Sequence, residues 1–102
     1  MIIAYKLMTI RKDGTLGPLF INRPQRLALG TTYEAQDHRT KGYKHRPGWH
    51  CTPAPYTPHL KDSRSDRVWV EVKIEDWSIE HRPESQGGVW FLANKMTPLR
   101  IL

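Results

Sequence analysis

The chain has 102 residues, of which 38% are hydrophobic, 10% aromatic and 25% charged. This length and composition predict one globular domain over residues 1–102, and they exclude a collagen-like, coiled-coil or wholly disordered chain. Sixteen Lys and Arg residues against ten Asp and Glu residues give a formal net charge of +6. Such an excess of positive charge favours an anionic partner, although a solvated basic surface explains it as well.

The start of the chain and its cysteine content predict a cytoplasmic protein. Residues 1–6 lack a basic region followed by a long apolar stretch, so they do not form a secretory signal. No apolar run approaches the ~20 residues that cross a bilayer, so no membrane association is predicted. Cys51 is the only cysteine and cannot form an internal disulfide, whereas small secreted proteins usually contain several.

The first third of the chain predicts three short strands. Residues 2–10 are rich in β-branched and aromatic side chains, which favours a strand. Asp13-Gly14 is typical of a hairpin turn, after which residues 15–21 form the returning strand. Pro18 has no N–H group to donate, so it is expected at an edge or a bulge. A third strand is predicted over residues 27–35.

The middle of the chain is predicted to be irregular. Residues 34–58 contain four prolines in their last twelve positions, which exclude a regular helix there. These are Pro47, Pro53, Pro55 and Pro58. The polar segment 61–66 is predicted to be a surface loop.

The second half contains the clearest strand. In residues 67–75, Val68, Val70, Val72 and Ile74 alternate with a face made of Arg67, Trp69, Glu71, Lys73 and Glu75. This period of two predicts an amphipathic strand. Residues 82–88 are predicted to be a loop, and residues 89–93 either a buried strand or the first turn of a helix. The predicted fold class is mainly β (α+β): a small antiparallel sheet or half-barrel with one or two short helices.

The segment around residues 45–53 concentrates side chains that could carry chemistry. A zinc site needs four nitrogen or sulfur ligands, but His50 and Cys51 are adjacent and would point to opposite sides of an extended chain. No metal site is predicted. A nucleophilic Cys51 would need a base such as His59, and the alternative is a small core residue. No catalytic residue and no cofactor are predicted.

The interpretation that we favour for this segment is binding of an anionic ligand. Cations interleaved with aromatic rings suit a ligand whose base stacks while its phosphate is clamped. The expected cationic and donor groups are Lys44, His45, Arg46 and His50, with His59 just beyond them, and the expected rings are Tyr43, Trp49 and Tyr56. The alternative is that Trp49 belongs to the core and the histidines only cap a proline-rich loop.

Two further segments extend this candidate site. In the loop 82–88, Gly87-Gly88 permits an anion-binding concavity. The side chains of Glu84, Ser85 and Gln86 can read hydrogen-bond patterns, and Trp90 is expected to anchor the loop. Arg23 and Arg26 flank Pro24 and could contact phosphates. A turn between strands and a solvated loop are the respective alternatives.

Three stretches together, RKDGTLGPLFINRPQRLALG (11–30), KGYKHRPGWHCTPAPYTPHL (41–60) and RPESQGGVWFLANKM (82–96), resemble a group of small uncharacterised bacteriophage and prophage proteins. The resemblance spans nearly the whole chain. It implies a phage source, and therefore the cytoplasm of an infected bacterium, but it implies no catalytic residue.

The order of elements is also similar to a reduced ADP-ribosyltransferase core. That resemblance implies an Arg or His on the first strand and a Glu on a late strand. This chain has Tyr5 and Lys6 on the predicted first strand, and Glu84 in a predicted loop, so it departs from the pattern at both positions.

The sequence therefore predicts a phage-type binding protein that recognises or sequesters an anionic, nucleotide-like ligand, with action against a host defence signal as the associated hypothesis. A nucleic-acid-binding or host-protein-inhibiting module is the first alternative, and an ADP-ribosyltransferase-like enzyme is the second. Self-association into a homo-oligomer is compatible with edge strands and with the four tryptophans.

Overall fold

One antiparallel sheet of six strands forms the fold in a computed structural model that describes residues 1–18, 25–35, 48–56 and 66–102. The strands are β1 (Ile2–Ile10), β2 (Leu16–Gly17), β3 (Tyr33–Glu34), β4 (Trp49–Cys51), β5 (Arg67–His81) and β6 (Val89–Ile101). Their order is β2-β1-β5-β6-β3, and β4 also pairs with β6. The 3₁₀ turn Glu84–Gln86 is the helical segment of the described part. The mainly β fold class predicted from the sequence is confirmed.

The long hairpin of β5 and β6 is the centre of the sheet. Its strands have 15 and 13 residues, and their pairing runs from Val70 opposite Ile101 to His81 opposite Val89. The predicted alternation is confirmed at Val70, Val72 and Ile74, which have no exposed surface. Residues 89–93, for which the sequence allowed either a strand or the first turn of a helix, form the start of β6.

The second face of β5 carries Trp69, as predicted, but this residue is buried on an otherwise polar face. Only 9% of its surface is exposed. It lies opposite Leu7 of β1, which is also buried. The two side chains share one side of the sheet because directly paired residues point the same way. A second apolar contact therefore exists on the face that carries Glu71 and Lys73.

The edge at β2 agrees with the hairpin prediction. The turn after β1 is closed by a 2.9 Å hydrogen bond from the Arg11 N–H to the Thr15 carbonyl, and Gly14 there has a φ of 85°. β2 pairs with β1 at the end of the strand order, so Pro18 follows an edge strand as expected. Residues 19–21 of the predicted strand lie outside the described residues, as do residues 61–65 of the predicted loop.

Two predictions for residues 27–58 need correction. Residues 27–35 are not one strand, because Gly30 has a φ of 82° and turns the chain there. Leu27 forms an isolated bridge to Leu16 on β2, and only β3 beyond the turn pairs with β6. The second correction is β4, a strand inside the region predicted to be irregular, in which Trp49 lies opposite Ala93 and Cys51 opposite Phe91.

The sheet curls because its two edges are joined. Directly after β4, Thr52 pairs with Tyr5 on β1. The Tyr5 N–H donates to the Thr52 carbonyl at 2.9 Å, and the Thr52 N–H donates to the Tyr5 carbonyl at 2.7 Å. The resulting half-barrel encloses one apolar core, formed by Ala4, Met8, Leu16, Leu27, Trp49, Cys51, Val70, Val72, Ile74, Ala93 and Met96. Within the described ranges, no helix is long and apolar enough to cross a membrane.

A substitution at Gly17 tests the packing at the β2 edge. A Cβ atom on Gly17 would overlap the Arg11 guanidinium, which donates to the carbonyls of Leu16 at 2.8 Å and Gln25 at 3.0 Å. We expect Gly17→Ala to displace that side chain and to lower the free energy of unfolding by about 1–2 kcal/mol, since hydrogen bonds from charged groups are lost. Urea denaturation measures this change.

The matched control repeats Gly17→Ala in an Arg11→Ala background. The alanine then meets no guanidinium, so the added cost should be much smaller than in the natural chain. Equal costs in the two backgrounds would show that the predicted clash does not govern this edge.

Candidate functional site

A cleft of about 260 Å³ lies where the chain after β4 approaches the loop before β6. β4 is antiparallel to β6 and Cys51 lies opposite Phe91, so residues 52–56 run towards the start of β6. The cleft is lined by Thr52, Pro53, Ala54, Tyr56, Glu84, Gly87 and Val89. The register of two strands therefore brings together segments that are about thirty residues apart in the sequence.

The first wall of the cleft, residues 52–56, is attached to β1. In addition to the backbone pair with Tyr5, the Thr52 hydroxyl donates to the Ala54 carbonyl at 2.7 Å. The Tyr56 N–H donates to the same carbonyl at 2.8 Å. The Tyr56 side chain projects from this ordered segment, and 69% of its surface is exposed.

The second wall is the loop 82–88, which is closed by its own backbone. The Arg82 N–H donates to the Gly88 carbonyl at 2.8 Å and the Gly87 N–H to the Glu84 carbonyl at 2.9 Å. Gly87 ends the 3₁₀ turn with a φ of 102°, a left-handed conformation that favours glycine. The indole N–H of Trp90 donates to the Gln86 carbonyl at 2.6 Å. The buried Trp90 thus anchors the loop, as the sequence predicted.

A stack of polar and aromatic side chains, formed by Arg82, Trp90, Glu80 and His50, supports this loop. The Arg82 guanidinium carbon lies 4.2 Å from the centre of the Trp90 ring, and its Nη2 lies 3.3 Å from Glu80 Oε2 and donates to His50 Nδ1. The side chains of Arg82 and Glu80 are only 11% and 17% exposed. Cation–π and ionic contacts are strongest when water is excluded in this way. Arg82 therefore holds the loop in place.

Lys6 extends the polar stack into the core side of the sheet. Its Nζ donates to the His50 carbonyl at 2.9 Å and lies 6.0 Å from the centre of the Trp49 ring. Burial lowers the pKa of Lys6; the nearby Cys51 opposes this shift and Arg82 adds to it. Burial also raises the pKa of the Cys51 thiol to about 11, so Cys51 is an uncharged core residue at neutral pH.

The structure brings some of the predicted ligand-binding residues together and separates others. Tyr56 and the loop that contains Gln86 border the same cleft, and His50 lies in the stack beneath the loop. Trp49 belongs to the core, the alternative that the sequence left open: 8% of its surface is exposed and its indole N–H donates to the Tyr33 carbonyl at 3.1 Å.

Arg26 lies elsewhere, at a second cleft that is lined mainly by apolar residues of the 27–33 segment and by Ile101. Its exposed guanidinium is paired with Asp13 at 2.8 Å. The remaining predicted site residues, Arg23, His45, Arg46 and His59, lie outside the described residues. The role of that group of residues stays a prediction.

Sequence reasoning missed the two cations that support the site, Lys6 and Arg82. A signal was present for Lys6, because its spacing of two residues from Ala4 and from Met8 places all three on the same side of β1, where Ala4 and Met8 are buried. For Arg82 the sequence offered no signal. His50 is distant from it in the chain, and Trp90 is an aromatic residue without a negative charge that would suggest an ion pair. Within the described residues, no group of three or more His, Cys, Asp or Glu side chains could hold a metal ion.

Comparisons with protein-family models, with curated proteins and with solved structures find no match to this chain.

The buried thiol gives a test of the interior beneath the site. Since the pKa of Cys51 rises from an ordinary value of 9.0 to about 11, its thiolate fraction at about pH 8.5 falls roughly 100-fold. We expect iodoacetamide to alkylate the native protein at least two orders of magnitude more slowly than the urea-unfolded chain, as followed by mass spectrometry. Similar rates in both states would mean that Cys51 is exposed.

Proposed function

We propose that the protein is a non-catalytic binding module for an anionic, nucleotide-like ligand whose base occupies the cleft between residues 52–56 and the loop 82–88. One observation carries this proposal: an exposed aromatic ring, Tyr56, borders a cleft whose opposite wall is an ordered, hydrogen-bonded loop. Ordered walls reduce the entropy that is lost on binding, so a shallow cleft of this kind can still bind with useful affinity.

The dimensions of the cleft suit a nucleobase. Its volume of about 260 Å³ is slightly below the ~300–1,000 Å³ that is typical of sites for drug-sized ligands. A planar base would stack on Tyr56 and contact the apolar groups of Pro53, Ala54 and Val89. The sugar and phosphate would extend out of the cleft.

The distribution of charge supports a phosphate-bearing ligand. The described residues contain nine Lys or Arg and eight Asp or Glu, whereas the other segments contain seven Lys or Arg and only two Asp or Glu. In the sequence, His59, Lys61 and Arg64 follow Tyr56 within eight residues. We expect the phosphate contacts to come from these segments, because Arg82 is already bound to Glu80 and His50.

The same charges favour a nucleic-acid ligand as the second candidate. A polynucleotide would engage several cationic segments at once, and each phosphate contact would release a counterion. The logarithm of its association constant would then fall steeply with the logarithm of salt concentration. A mononucleotide would give a much shallower slope, so the same titration with a mononucleotide and with a single-stranded 20-mer separates the two candidates.

The proposed biological role follows from the resemblance to phage proteins. A protein made in the cytoplasm of an infected bacterium would sequester a host nucleotide signal. Inhibition of a host protein is the alternative. A transferase activity has less support, because β1 presents Tyr5 and Lys6 and Glu84 lies in a 3₁₀ turn.

A substitution at Tyr56 tests the proposed function. We expect Tyr56→Ala to weaken binding of nucleoside 5′-monophosphates about 5- to 150-fold, because stacking of a base on an aromatic side chain contributes about 1–3 kcal/mol. Tyr56→Phe keeps the ring and should bind nearly as well as the natural chain. Isothermal titration calorimetry measures both variants.

The matched control is Leu29→Ala, which removes an exposed apolar side chain at the second cleft and should leave binding unchanged. If Tyr56→Ala binds as tightly as the natural protein, the ligand does not stack in this cleft. Calorimetry without measurable heat for any monophosphate in the natural protein, confirmed by an unchanged melting temperature, would contradict the proposed function itself.

A further inference from the structure

We propose that the cleft selects guanine among the nucleobases, and that the Glu84 carboxylate carries this selectivity by accepting the two adjacent N–H groups of the guanine ring. This inference rests on the proposed function and names the ligand class of that same cleft. It depends on three observations: the polar groups available in the cleft, the position of Glu84 in the loop, and the hydrogen bonds that close that loop.

Glu84 supplies the free hydrogen-bonding capacity among the lining residues. It is exposed, and no hydrogen bond or ion pair engages its carboxylate in the part of the chain that the structure describes. The Thr52 hydroxyl already donates to the Ala54 carbonyl, and Pro53, Ala54, Gly87 and Val89 have no polar side-chain atoms. Among the lining residues that the structure describes, the side-chain groups left to read a base edge are therefore the Tyr56 hydroxyl and the Glu84 carboxylate.

A carboxylate accepts hydrogen bonds and cannot donate them when it is ionised. Guanine presents two parallel donors, the ring N1–H and the exocyclic N2–H, whose separation matches the two oxygens of a carboxylate. This is the same bidentate geometry that makes Arg–carboxylate pairs strong. Adenine and cytosine place a lone-pair nitrogen next to their amino group, and uracil places carbonyl oxygens on both sides of its N–H. Each of these three would bring an acceptor towards a carboxylate oxygen.

The position of Glu84 in the loop is set before any ligand binds. Pro83 precedes it with a φ of −55°, and the Glu84 carbonyl accepts the Gly87 N–H. The Trp90 indole N–H donates to the Gln86 carbonyl and so holds the loop two residues after Glu84. A site that is built to pair with particular donors rejects ligands that lack them, since the mismatch leaves polar groups unpaired.

The other walls of the cleft suit a flat ring without choosing among bases. Tyr56 can stack on any base, because every base has a π face. Gly87 has no side chain, so the loop backbone can approach the ring edge closely. Discrimination therefore falls on Glu84, and its exposure to water limits the expected preference to roughly 10- to 100-fold.

The test compares three ligands that differ only in the base. The 5′-monophosphates of guanosine, inosine and adenosine carry the same sugar and phosphate, and inosine keeps N1–H but lacks the N2 amino group. Calorimetry on the natural protein should give affinities in the order guanosine, inosine, adenosine, with at least a tenfold difference between the first and the last. Glu84→Gln should weaken binding of guanosine monophosphate at least tenfold and leave adenosine monophosphate within about threefold.

Glu75→Gln on β5 is the matched control, since it removes the same charge outside the cleft and should not change the order. Melting temperatures of both variants report that they fold. Equal binding of the three ligands, or a guanosine preference that persists in Glu84→Gln, overturns the selectivity and leaves the nucleotide-binding function standing. Absence of binding by all three, together with no effect on melting temperature, overturns both.

Discussion

The antiparallel pair formed by Tyr5 and Thr52 determines where the rest of the site lies. Its two backbone hydrogen bonds, of 2.9 and 2.7 Å, join β1 to the end of β4 and so connect the two edges of the sheet. Without this pair, β4 would keep its backbone ladder with β6, but the segment 52–56 would lack its backbone anchor on β1. Closure also shields backbone groups that an open edge would leave unpaired. The cleft is therefore a direct consequence of the way the sheet curls.

The second requirement is a buried cation that stabilises the opposite wall. Arg82 carries its charge against the Trp90 ring and between Glu80 and His50, with little access to water. Removing only one member of such a group would leave a polar partner unsatisfied, which is more costly than the net value of the contact. Lys6 brings a second cation close by, and its lowered pKa reflects the cost of burying the charge. Among the described residues, Arg82 and Lys6 thus serve the architecture of the cleft, which leaves ligand contacts to other groups.

The local part of this fold could be predicted from the sequence. The alternation from Val68 to Ile74 defines β5, and Asp13-Gly14 marks the first hairpin, because both signals depend on neighbouring residues only. β4 could not be predicted in the same way: three residues between prolines form a strand only because β6, some forty residues later, offers partners. The burial of Trp69 could not be predicted for a similar reason, since it depends on Leu7 on another strand.

The candidate site likewise combines features that residue types predict with features that only the folded chain determines. Tyr56 and the loop of Gln86 were proposed from residue types alone, but their position in one cleft follows from the register of β4 against β6. Glu84 was recognised as a hydrogen-bonding group, while its freedom from partners in the described residues is a property of the folded chain. Arg26 illustrates the limit: its residue type suggested a phosphate contact, and the fold places it beside Asp13 at another cleft.

Hydrogen exchange of the backbone amides tests most directly whether closure of the sheet builds the cleft in advance. In the ligand-free protein, followed by NMR, the amides of Tyr5 and Thr52 should exchange about as slowly as those at the centre of the β5–β6 hairpin, because all of them open only with the fold. Exchange of the Thr52 amide at the rate of an exposed loop would show that the edges are not joined in solution, and would contradict a preformed site.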